Sequence, residues 1–293
     1  MADGNFGPEA VGQLMVDLRP RLHRYCARMV GSAIDGEDVV QDALAKATEA
    51  LATAGPIERP ESWLFRIAHN TALDALRRRK RQALGRYPQG PGDVADPAAV
   101  ADARVTASAG LGALMHLPPA QRSSVVLADV LGHSLTETAE ILGVTLAAVK
   151  AALHRGRERL RTVAERPLEA APHADPTERE RLRAYADRFN ARDFDALRVL
   201  LAEDVRLDLV ARTRLAGRKD VSVYFTRYAE GAEWRFTVGI AEARLVLLAS
   251  DPADATGRPM FVVLLDWRDG EIVGIRDFHY AHYVMDSLEI AGS

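Results

Sequence analysis

The pattern of apolar and polar positions predicts helices in the first half of the chain. Between residues 32 and 51, apolar residues recur every three or four positions and therefore share one face of a helix. They are Val39, Val40, Ala43, Leu44, Ala47 and Leu51. Asp35 stands where the N-cap of this helix is expected. A second helix is predicted from RPESWLFRIAHNTALDALRRRKR, with a buried face of Trp63, Ile67, Leu73 and Leu76.

The pattern changes near residue 177. Helical stretches over 178–204 and 219–231 are followed by apolar or alternating runs, which are WRFTVGIA, ARLVLLAS, PMFVVLLDW and EIVGIRDFHYAHYV. The pair Asp269-Gly270 between the last two runs is a strong hairpin signal. Helices followed by strands predict an α+β domain with an antiparallel sheet.

Two stretches without apolar periodicity divide the chain. YPQGPGDVADPAA and ERPLEAAPHADP are rich in Pro, Gly or Asp and predict linkers. We therefore expect domains at 9–86, 111–163 and 177–290, joined by linkers at 87–110 and 164–176.

Charge is distributed unevenly, although the formal net charge is only −3. The segments 63–86 and 147–166 are strongly basic, whereas 35–49 is acidic. Two basic surfaces and one acidic surface indicate separate nucleic-acid and protein partners. Cys26 is the only cysteine of the sequence, which excludes an internal disulfide and a cysteine-rich zinc site.

No apolar run approaches the roughly 18 residues of a membrane span. The N-terminal stretch MADGNFGPEAVGQLMV lacks the basic start and apolar core of a secretory signal. We therefore expect a cytoplasmic protein without membrane contact, and we expect no metal and no cofactor.

The stretch GHSLTETAEILGVTLAAVKAALHRGRERL predicts a helix-turn-helix. Ser134 or Thr136 caps the first helix, Gly143 permits the tight turn, and Thr145 caps the second helix. The second helix has an apolar face at Val149, Leu153, Gly156 and Leu160, and a basic side at Lys150, His154, Arg157 and Arg161, with Arg155 beside it. A helix that enters a DNA groove needs an apolar face that packs on its domain and a basic side that meets the DNA. The alternative is a helical hairpin with a solvated basic side.

Two parts of the chain resemble bacterial sigma factors of the extracytoplasmic-function group. LPPAQRSSVVLADVLGHSLTETAEILGVTLAAVKAALHRGRERLR resembles region 4 of that group. DGEDVVQDALAKA and PESWLFRIAHNTALDALRRRKR resemble region 2, and the two regions occur in the family's order. The resemblance implies two all-α domains, a region 2 helical bundle and a region 4 helix-turn-helix.

The resemblance also implies partners for region 2. In the family, this region docks on the clamp helices of the RNA polymerase β′ subunit, while region 4 meets the β flap. The matching positions of the acidic helix are Asp38, Val39, Gln41 and Asp42. The alternative is an ordinary amphipathic helix.

Both regions are implied to bind promoter DNA. Asn70, in RIAHN, matches the family's reader of an extruded base in the −10 element. An amide suits this role because it both donates and accepts hydrogen bonds. The alternative role of Asn70 is a helix N-cap. Residues 54–62 would complete the pocket. The −10 residues are Asn70, Asp74, Arg77, Arg78, Arg79 and Lys80. The −35 residues are Arg122, Thr145, Ala147, Lys150, Ala151, His154, Arg155 and Arg157, with Arg122 and Arg157 on phosphates.

The third domain resembles the SnoaL-like, nuclear transport factor 2-like fold. The resemblance rests on element order and on WRDGEIVGIRDFHYAHYV, and it implies a cone of curved sheet over helices that encloses a pocket. Candidate pocket residues are Tyr185, Asp208, Trp234, Asp266 and His279. An interaction domain, a small-molecule sensor and an enzyme are the alternatives for this domain.

Together these resemblances imply a non-catalytic sigma factor. It would bind core RNA polymerase, recognise promoter DNA, and be modulated by intramolecular contacts of its C-terminal domain. An anti-sigma factor is neither implied nor excluded. The first alternative is a ligand-responsive helix-turn-helix regulator that binds duplex DNA without polymerase, and the second is an enzyme with an accessory DNA-binding part.

Overall fold

The computed structural model describes residues 8–53, 55–84, 110–163, 175–231 and 233–291. The predicted linkers lie outside these residues except for their last positions. The chain divides into two compact units, Met1–Leu168 and Glu169–Ser293, which are described separately. In the described ranges, no helix combines the length and the apolar character that crossing a membrane requires.

The N-terminal unit begins with a bundle of long helices, α1 (Pro8–Val30), α2 (Ala33–Leu51) and α3 (Pro60–Leu84). Its interior is built from apolar side chains of all three, including the fully buried Tyr25 and Phe65. The N-cap of α2 is Ser32, whose side chain accepts a hydrogen bond of 3.0 Å from the backbone N–H of Asp35. The prediction that Asp35 is the cap was therefore wrong by three residues, since Ser32 has the extended backbone that a cap requires.

The second part of this unit contains the helix-turn-helix. Short helices α4 (Leu111–Met115) and α5 (Pro119–Val125) precede it, and a π-helical turn (Val126–Val130) extends α5. Helix α6 (Leu135–Leu142) and helix α7 (Leu146–Val163) follow.

Local hydrogen bonds fix the helix-turn-helix as the sequence predicts. Ser134 and Glu137 form a reciprocal capping box at the start of α6. Gly143 ends α6 with φ of 67°, a left-handed conformation that glycine adopts without strain. Thr145 accepts a hydrogen bond of 3.2 Å from the backbone N–H of Ala148 at the start of α7. The predicted roles of Ser134, Gly143 and Thr145 are confirmed.

The helix-turn-helix packs against α3 of the bundle. The rings of Phe65 and His133 meet edge to face with centroids 4.9 Å apart. Arg59 forms an ion pair of 2.5 Å with Glu140, and Arg66 donates to the backbone carbonyl of Glu140. The two predicted all-α regions are therefore parts of one compact unit.

The C-terminal unit has helices α8 (Pro176–Asn190), α9 (Phe194–Val199) and α10 (Arg218–Glu230). Its strands are β1 (Leu201–Leu209), β2 (Thr213–Ala216), β3 (Arg235–Ala241), β4 (Arg244–Ser250), β5 (Pro259–Arg268), β6 (Glu271–Asp277) and β7 (Ile290–Ala291). The α+β fold is confirmed. The helical prediction over 178–204 ran too long, because the last part of that stretch is strand β1.

The strands form one sheet within the described residues, in the order β2-β1-β6-β5-β4-β3-β7. Strands β1 and β6 are parallel, so the sheet is mixed rather than antiparallel as predicted. The hairpin between β5 and β6 is confirmed: Asp269 and Gly270 have φ of 54° and 87°, which matches the twist of a tight two-residue turn. Helix α8 packs on β3, where Phe189 stacks on Phe236 with ring centroids 3.9 Å apart.

Candidate nucleic-acid interface

Helix α7 presents one polar face outward from the N-terminal unit. Ala147, Lys150 and His154 are exposed on this face and Ala151 is half-buried. The opposite face packs inward through Val149, Leu153, Gly156 and Leu160. A Cβ atom on Gly156 would lie 2.7 Å from a methyl group of Val125, so glycine permits this close packing.

The exposed cations of α7 differ in their surroundings. Lys150 and Arg155 are exposed and form no ion pair with another described residue. The imidazole Nε2 of His154 lies 3.9 Å from a carboxylate oxygen of Glu158, one turn further along the helix. Lys150 and Arg155 therefore offer hydrogen-bond donors that no side chain among the described residues engages.

Arg122 is buried instead of exposed, with 4% of its surface accessible. Its guanidinium donates to the backbone carbonyls of Leu114, Leu117 and Met29. The Met29 carbonyl belongs to α1, so Arg122 ties the second part of the unit to the helical bundle. This corrects the predicted phosphate contact of Arg122, because its donors are directed inward.

Arg157 forms a two-point ion pair with Asp129. Nε and one terminal nitrogen lie 2.9 and 2.5 Å from the two carboxylate oxygens. The side chain of Asp129 is 3% exposed, and its hydrogen bonds raise the pKa of Arg157. The guanidinium of Arg157 thus holds α7 against the π-helical turn, and its phosphate contact stays a prediction.

Asn70 is exposed in the interior of helix α3. The alternative role as an N-cap is therefore wrong, since α3 begins at Pro60. Asp74, one turn later, lies 3.0 Å from Arg77 and 4.0 Å from Lys46. The Asn70 amide thus stands beside a patch of paired charges.

Two arginines of the basic run at the end of α3 pair with acids of helix α2. Arg78 lies 3.5 Å from Asp42. Arg79 pairs with Asp35 at 2.5 Å and donates to the carbonyl of Val30 at 3.0 Å. An open groove of about 600 Å³ follows this contact and is lined by Asp42, Lys46, Asp74, Arg77, Arg78, Lys80 and Arg81.

The predicted polymerase-binding residues of α2 separate into two groups. Asp38 and Asp42 are exposed and Gln41 is half-buried. Val39 is 4% exposed and belongs to the core of the bundle. The assignment of Val39 to a partner surface is therefore wrong, because α2 turns this side chain inward.

His69 is a buried neighbour of Asn70 that sequence reasoning missed. Its Nδ1 lies 2.7 Å from the hydroxyl of Tyr25. Burial, with a smaller contribution from Arg77, lowers the pKa of His69 to about 4. The helical spacing of FRIAHN contained this signal, because His69 follows the apolar Phe65 by four positions and so shares its face of the helix.

A second cleft, of about 560 Å³, separates α3 from the helix-turn-helix. It is mainly apolar and is lined by His69, Leu73, Leu76, Arg77, Lys80, Pro118, Pro119, Ala120, Ser123, Ser124, Leu142, Val144, Ala148 and Ala152. The flank of α7 thus faces the basic half of α3. The cleft forms because the helix-turn-helix packs against the helical bundle, so no sequence motif predicts it.

The C-terminal unit brings some of its predicted pocket residues together. Trp234 and His279 line a cavity of about 170 Å³. Tyr185 is fully buried. Asp266 is exposed on β5, and Asp208 is half-buried within 4 Å of the guanidinium groups of Arg214 and Arg276. The prediction that Asp266 lines the pocket is therefore wrong, because this residue lies on the surface.

The sequence reasoning missed the acid and the two tyrosines of this cavity. Asp277 and the helix residues Tyr224 and Tyr228 line it with Trp234 and His279. The two tyrosines are four positions apart, so both project from one face of α10. Asp277 stands in IRDFHY at the end of the last long strand, which was the available signal.

Comparisons with known proteins agree with the two all-α parts. Residues 14–82 match the family model of Sigma-70 region 2, and residues 111–160 match that of Sigma-70 region 4. The ECF RNA polymerase sigma factor SigM of Mycobacterium tuberculosis is 37% identical over 152 residues, which cover 52% of this chain and 75% of SigM.

A longer alignment joins the chain to the ECF RNA polymerase sigma factor SigG of Mycobacterium tuberculosis. The two are 34% identical over 205 residues, which cover 61% of this chain. The chain spans about half the length of SigG, 55%. The crystal structure of Mycobacterium tuberculosis SigJ, an extracytoplasmic function sigma factor, aligns over 91% of this chain and 95% of SigJ, with 23% identity and a TM-score of 0.34.

Proposed function

Because the chain belongs to the ECF family of RNA polymerase sigma factors, we propose that it binds core RNA polymerase and directs initiation at specific promoters. The observation that carries the proposal is the outward face of α7, where Lys150 and Arg155 are exposed without an ion-pair partner among the described residues. In this role the chain is non-catalytic and acts in the cytoplasm, where polymerase and promoters are found.

The outward face of α7 is proposed to enter the major groove of the −35 element. Lys150 and Arg155 carry the donors that bind the O6 and N7 acceptors of guanine, and His154 adds a third polar contact. Ala147 and Ala151 are small, so they let the helix backbone approach the base edges. Thr145 shapes the start of the helix, while Arg122 and Arg157 hold the helix in position from inside.

Helix α3 is proposed to bind the melted −10 element. The exposed amide of Asn70 can donate to and accept from the edge of an unpaired base. Arg77, Arg78 and Lys80 neutralise phosphates along the strand. Asp74 orients Arg77 through their 3.0 Å contact, and Arg79 is a positioning residue between α2 and α3.

The outward side of α2 is proposed to contact the β′ clamp helices. Asp38, Gln41 and Asp42 form this surface, with Val39 as its support from the core. Region 4 meets the β flap. The proposed region boundaries are 9–86 for region 2, 111–163 for region 4 and 177–290 for the C-terminal domain.

The C-terminal domain is proposed to modulate initiation through intramolecular contacts. Covalent fusion raises the effective concentration of such contacts, so even weak docking is populated. Removal of all residues after Arg166 should change promoter-dependent transcription. Unchanged transcription together with unchanged polymerase affinity would contradict this part of the proposal.

Run-off transcription with core RNA polymerase and a randomised promoter library tests the main proposal. We expect transcription from a defined set of promoters with the intact chain. We expect little duplex binding in a gel shift without polymerase and strong binding with it. Tight, specific duplex binding without polymerase would support the helix-turn-helix regulator instead.

A further inference from the structure

A buried carboxylate organises the cavity of the C-terminal unit. Asp277 is fully buried at the end of β6. One of its oxygens accepts hydrogen bonds from the hydroxyls of Tyr224 at 2.8 Å and Tyr228 at 2.7 Å. The other accepts from the backbone N–H of His279 at 2.7 Å. Burial raises the pKa of Asp277, and these donors oppose that rise.

The walls of the cavity are aromatic. The rings of Trp234 and His279 meet nearly perpendicular with centroids 5.4 Å apart, and Tyr228 approaches His279 in the same manner at 6.1 Å. Tyr280 adds a further ring beside His279, with centroids 4.8 Å apart. The space of about 170 Å³ is below the roughly 300 Å³ at which pockets for drug-sized ligands begin. It therefore suits one ring with a small substituent.

Two buried polar atoms at this cluster are unsatisfied within the described residues. They are Nδ1 of His279 and the hydroxyl of Tyr185. Burial lowers the pKa of His279, with smaller contributions from His282 and Arg212. Buried polar atoms without partners are rare in folded proteins, so an unpaired atom on a cavity wall indicates a ligand group or a water. His279 is the one of the two that lines the cavity.

The charges at the cavity favour an anion. Arg227 lines it, is exposed, and forms no ion pair with any residue of the described ranges. The guanidinium of Arg212 lies 4.5 Å from the ring centroid of Tyr280. Asp277 is the acid of the lining, and its oxygens are already engaged by the tyrosine hydroxyls and a backbone N–H. Within the described residues, the unengaged polar groups at the cavity are thus the guanidinium of Arg227 and Nδ1 of His279.

We propose that the C-terminal unit binds a small aromatic carboxylate. Its ring packs against the cavity wall formed by Trp234, Tyr228 and His279, and its carboxylate pairs with Arg227, the side chain whose planar donors match a carboxylate at two points. The site stands on the geometry of this unit, and only its effect on transcription rests on the proposed function.

Calorimetric titration of the full chain with benzoate tests this site, with benzamide as the uncharged analogue of the same shape. We expect benzoate to bind with a dissociation constant below about 1 mM and benzamide to bind at least about tenfold more weakly. Absence of benzoate binding, or equal affinity for the two compounds, would overturn the proposal.

Two variants and a matched control complete the test. Arg227→Gln should weaken benzoate binding by about tenfold or more, and Trp234→Leu should weaken benzoate and benzamide alike. Arg183→Gln removes an exposed arginine of α8 in the same unit and should leave binding unchanged. Full benzoate affinity in Arg227→Gln, with the thermal transition intact, would sink the assignment. Calorimetry needs neither polymerase nor DNA, so a failure of the promoter function leaves this result unaffected.

Discussion

Helices α3 and α7 carry similar runs of basic residues in the same unit, yet their surroundings differ. On α7, Lys150 and Arg155 are exposed and have no ion-pair partner among the described residues. On α3, successive arginines lie against acids: Arg77 with Asp74, Arg78 with Asp42 and Arg79 with Asp35. The number of basic residues on a helix therefore does not measure how many of them are available to DNA.

The difference has an electrostatic consequence. A phosphate that approaches Arg77, Arg78 or Arg79 competes with an existing carboxylate, so the net gain is the difference between two ion pairs. A phosphate that approaches Lys150 or Arg155 displaces only water and counterions. We therefore expect α7 to contribute more of the salt dependence of promoter binding for each cation.

The largest expected effect comes from Arg122, which is buried and lies on neither of the two basic surfaces. Arg122→Ala removes a buried guanidinium and leaves the carbonyls of Met29, Leu114 and Leu117 without its donors. We expect the free energy of unfolding of the N-terminal unit to fall by about 3 kcal/mol, because unsatisfied buried acceptors are costly. Urea denaturation followed by circular dichroism measures this.

Arg155→Ala is the control for Arg122→Ala, since it removes an exposed arginine from the same region. We expect its free energy of unfolding to match that of the unmodified chain within about 0.5 kcal/mol. If Arg122→Ala were equally stable and instead weakened DNA binding, the inward orientation of Arg122 would be contradicted.

The next effect concerns α7 directly. Lys150→Ala and Arg155→Ala should each weaken −35 recognition by about 1–3 kcal/mol, since each removes donors to base edges or phosphates. Affinity of the polymerase holoenzyme for promoters with and without an intact −35 element measures this. Binding of either variant to core polymerase should be unchanged, and its loss would mean that the face is assigned to the wrong partner.

A smaller effect separates two arginines of α3. Arg79→Ala should lower the free energy of unfolding by about 1 kcal/mol, because Arg79 joins the carbonyl of Val30 and Asp35 in a partly exposed contact. Arg77→Ala should leave stability unchanged and weaken binding to −10 single strands. Parallel denaturation and fluorescence-anisotropy measurements compare them, and the reverse result would exchange the two roles.

The smallest effect contrasts the histidines of the two helices. His154 is exposed on α7, whereas His69 is buried in α3 with its pKa lowered to about 4. Folded His69 thus binds a proton less readily than unfolded His69, whose pKa is about 6.5. Its contribution to stability is full above about pH 6.5 and is lost as the pH falls toward about 4.

Between about pH 7 and pH 6, this linkage should lower the free energy of unfolding by about 0.7 kcal/mol. Urea denaturation at a series of pH values measures the slope. His69→Gln should flatten the slope in this window, and His154→Gln should not. A slope that follows His154 would show that the buried histidine is not the sensitive group.

Local chemistry explains what the sequence predicts well. Ser134, Gly143 and Thr145 act within their own turns, and the capping and left-handed roles follow from residue type and spacing alone. Asp269-Gly270 does the same for the hairpin. These features depend on few neighbours in the chain, so a local pattern is enough to predict them.

Features that depend on packing escaped the sequence pattern. Arg122 and Arg157 are residues of the type that contacts phosphates. Folding brings the carbonyl of Met29 to Arg122 and the carboxylate of Asp129 to Arg157, and the sequence pattern does not show these contacts. The parallel pairing of β1 with β6 joins strands far apart in the chain. Asp277 gains its tyrosine partners because α10 packs against β1, the neighbour of β6 in the sheet, and no spacing in the sequence encodes that contact.

The packing of the helix-turn-helix on α3 also limits how far apart the two reading surfaces can stand. The path from Asn70 through the contact of Phe65 with His133 to Lys150 is at most about 60 Å long, from the rise of helices and the reach of extended chain. On the proposed function, two promoter elements that lie further apart than this path are held together only when the contacts of Arg122, Glu140 and His133 part. The apparent affinity for such a promoter is then the intrinsic affinity multiplied by the fraction of chains in which these contacts are open.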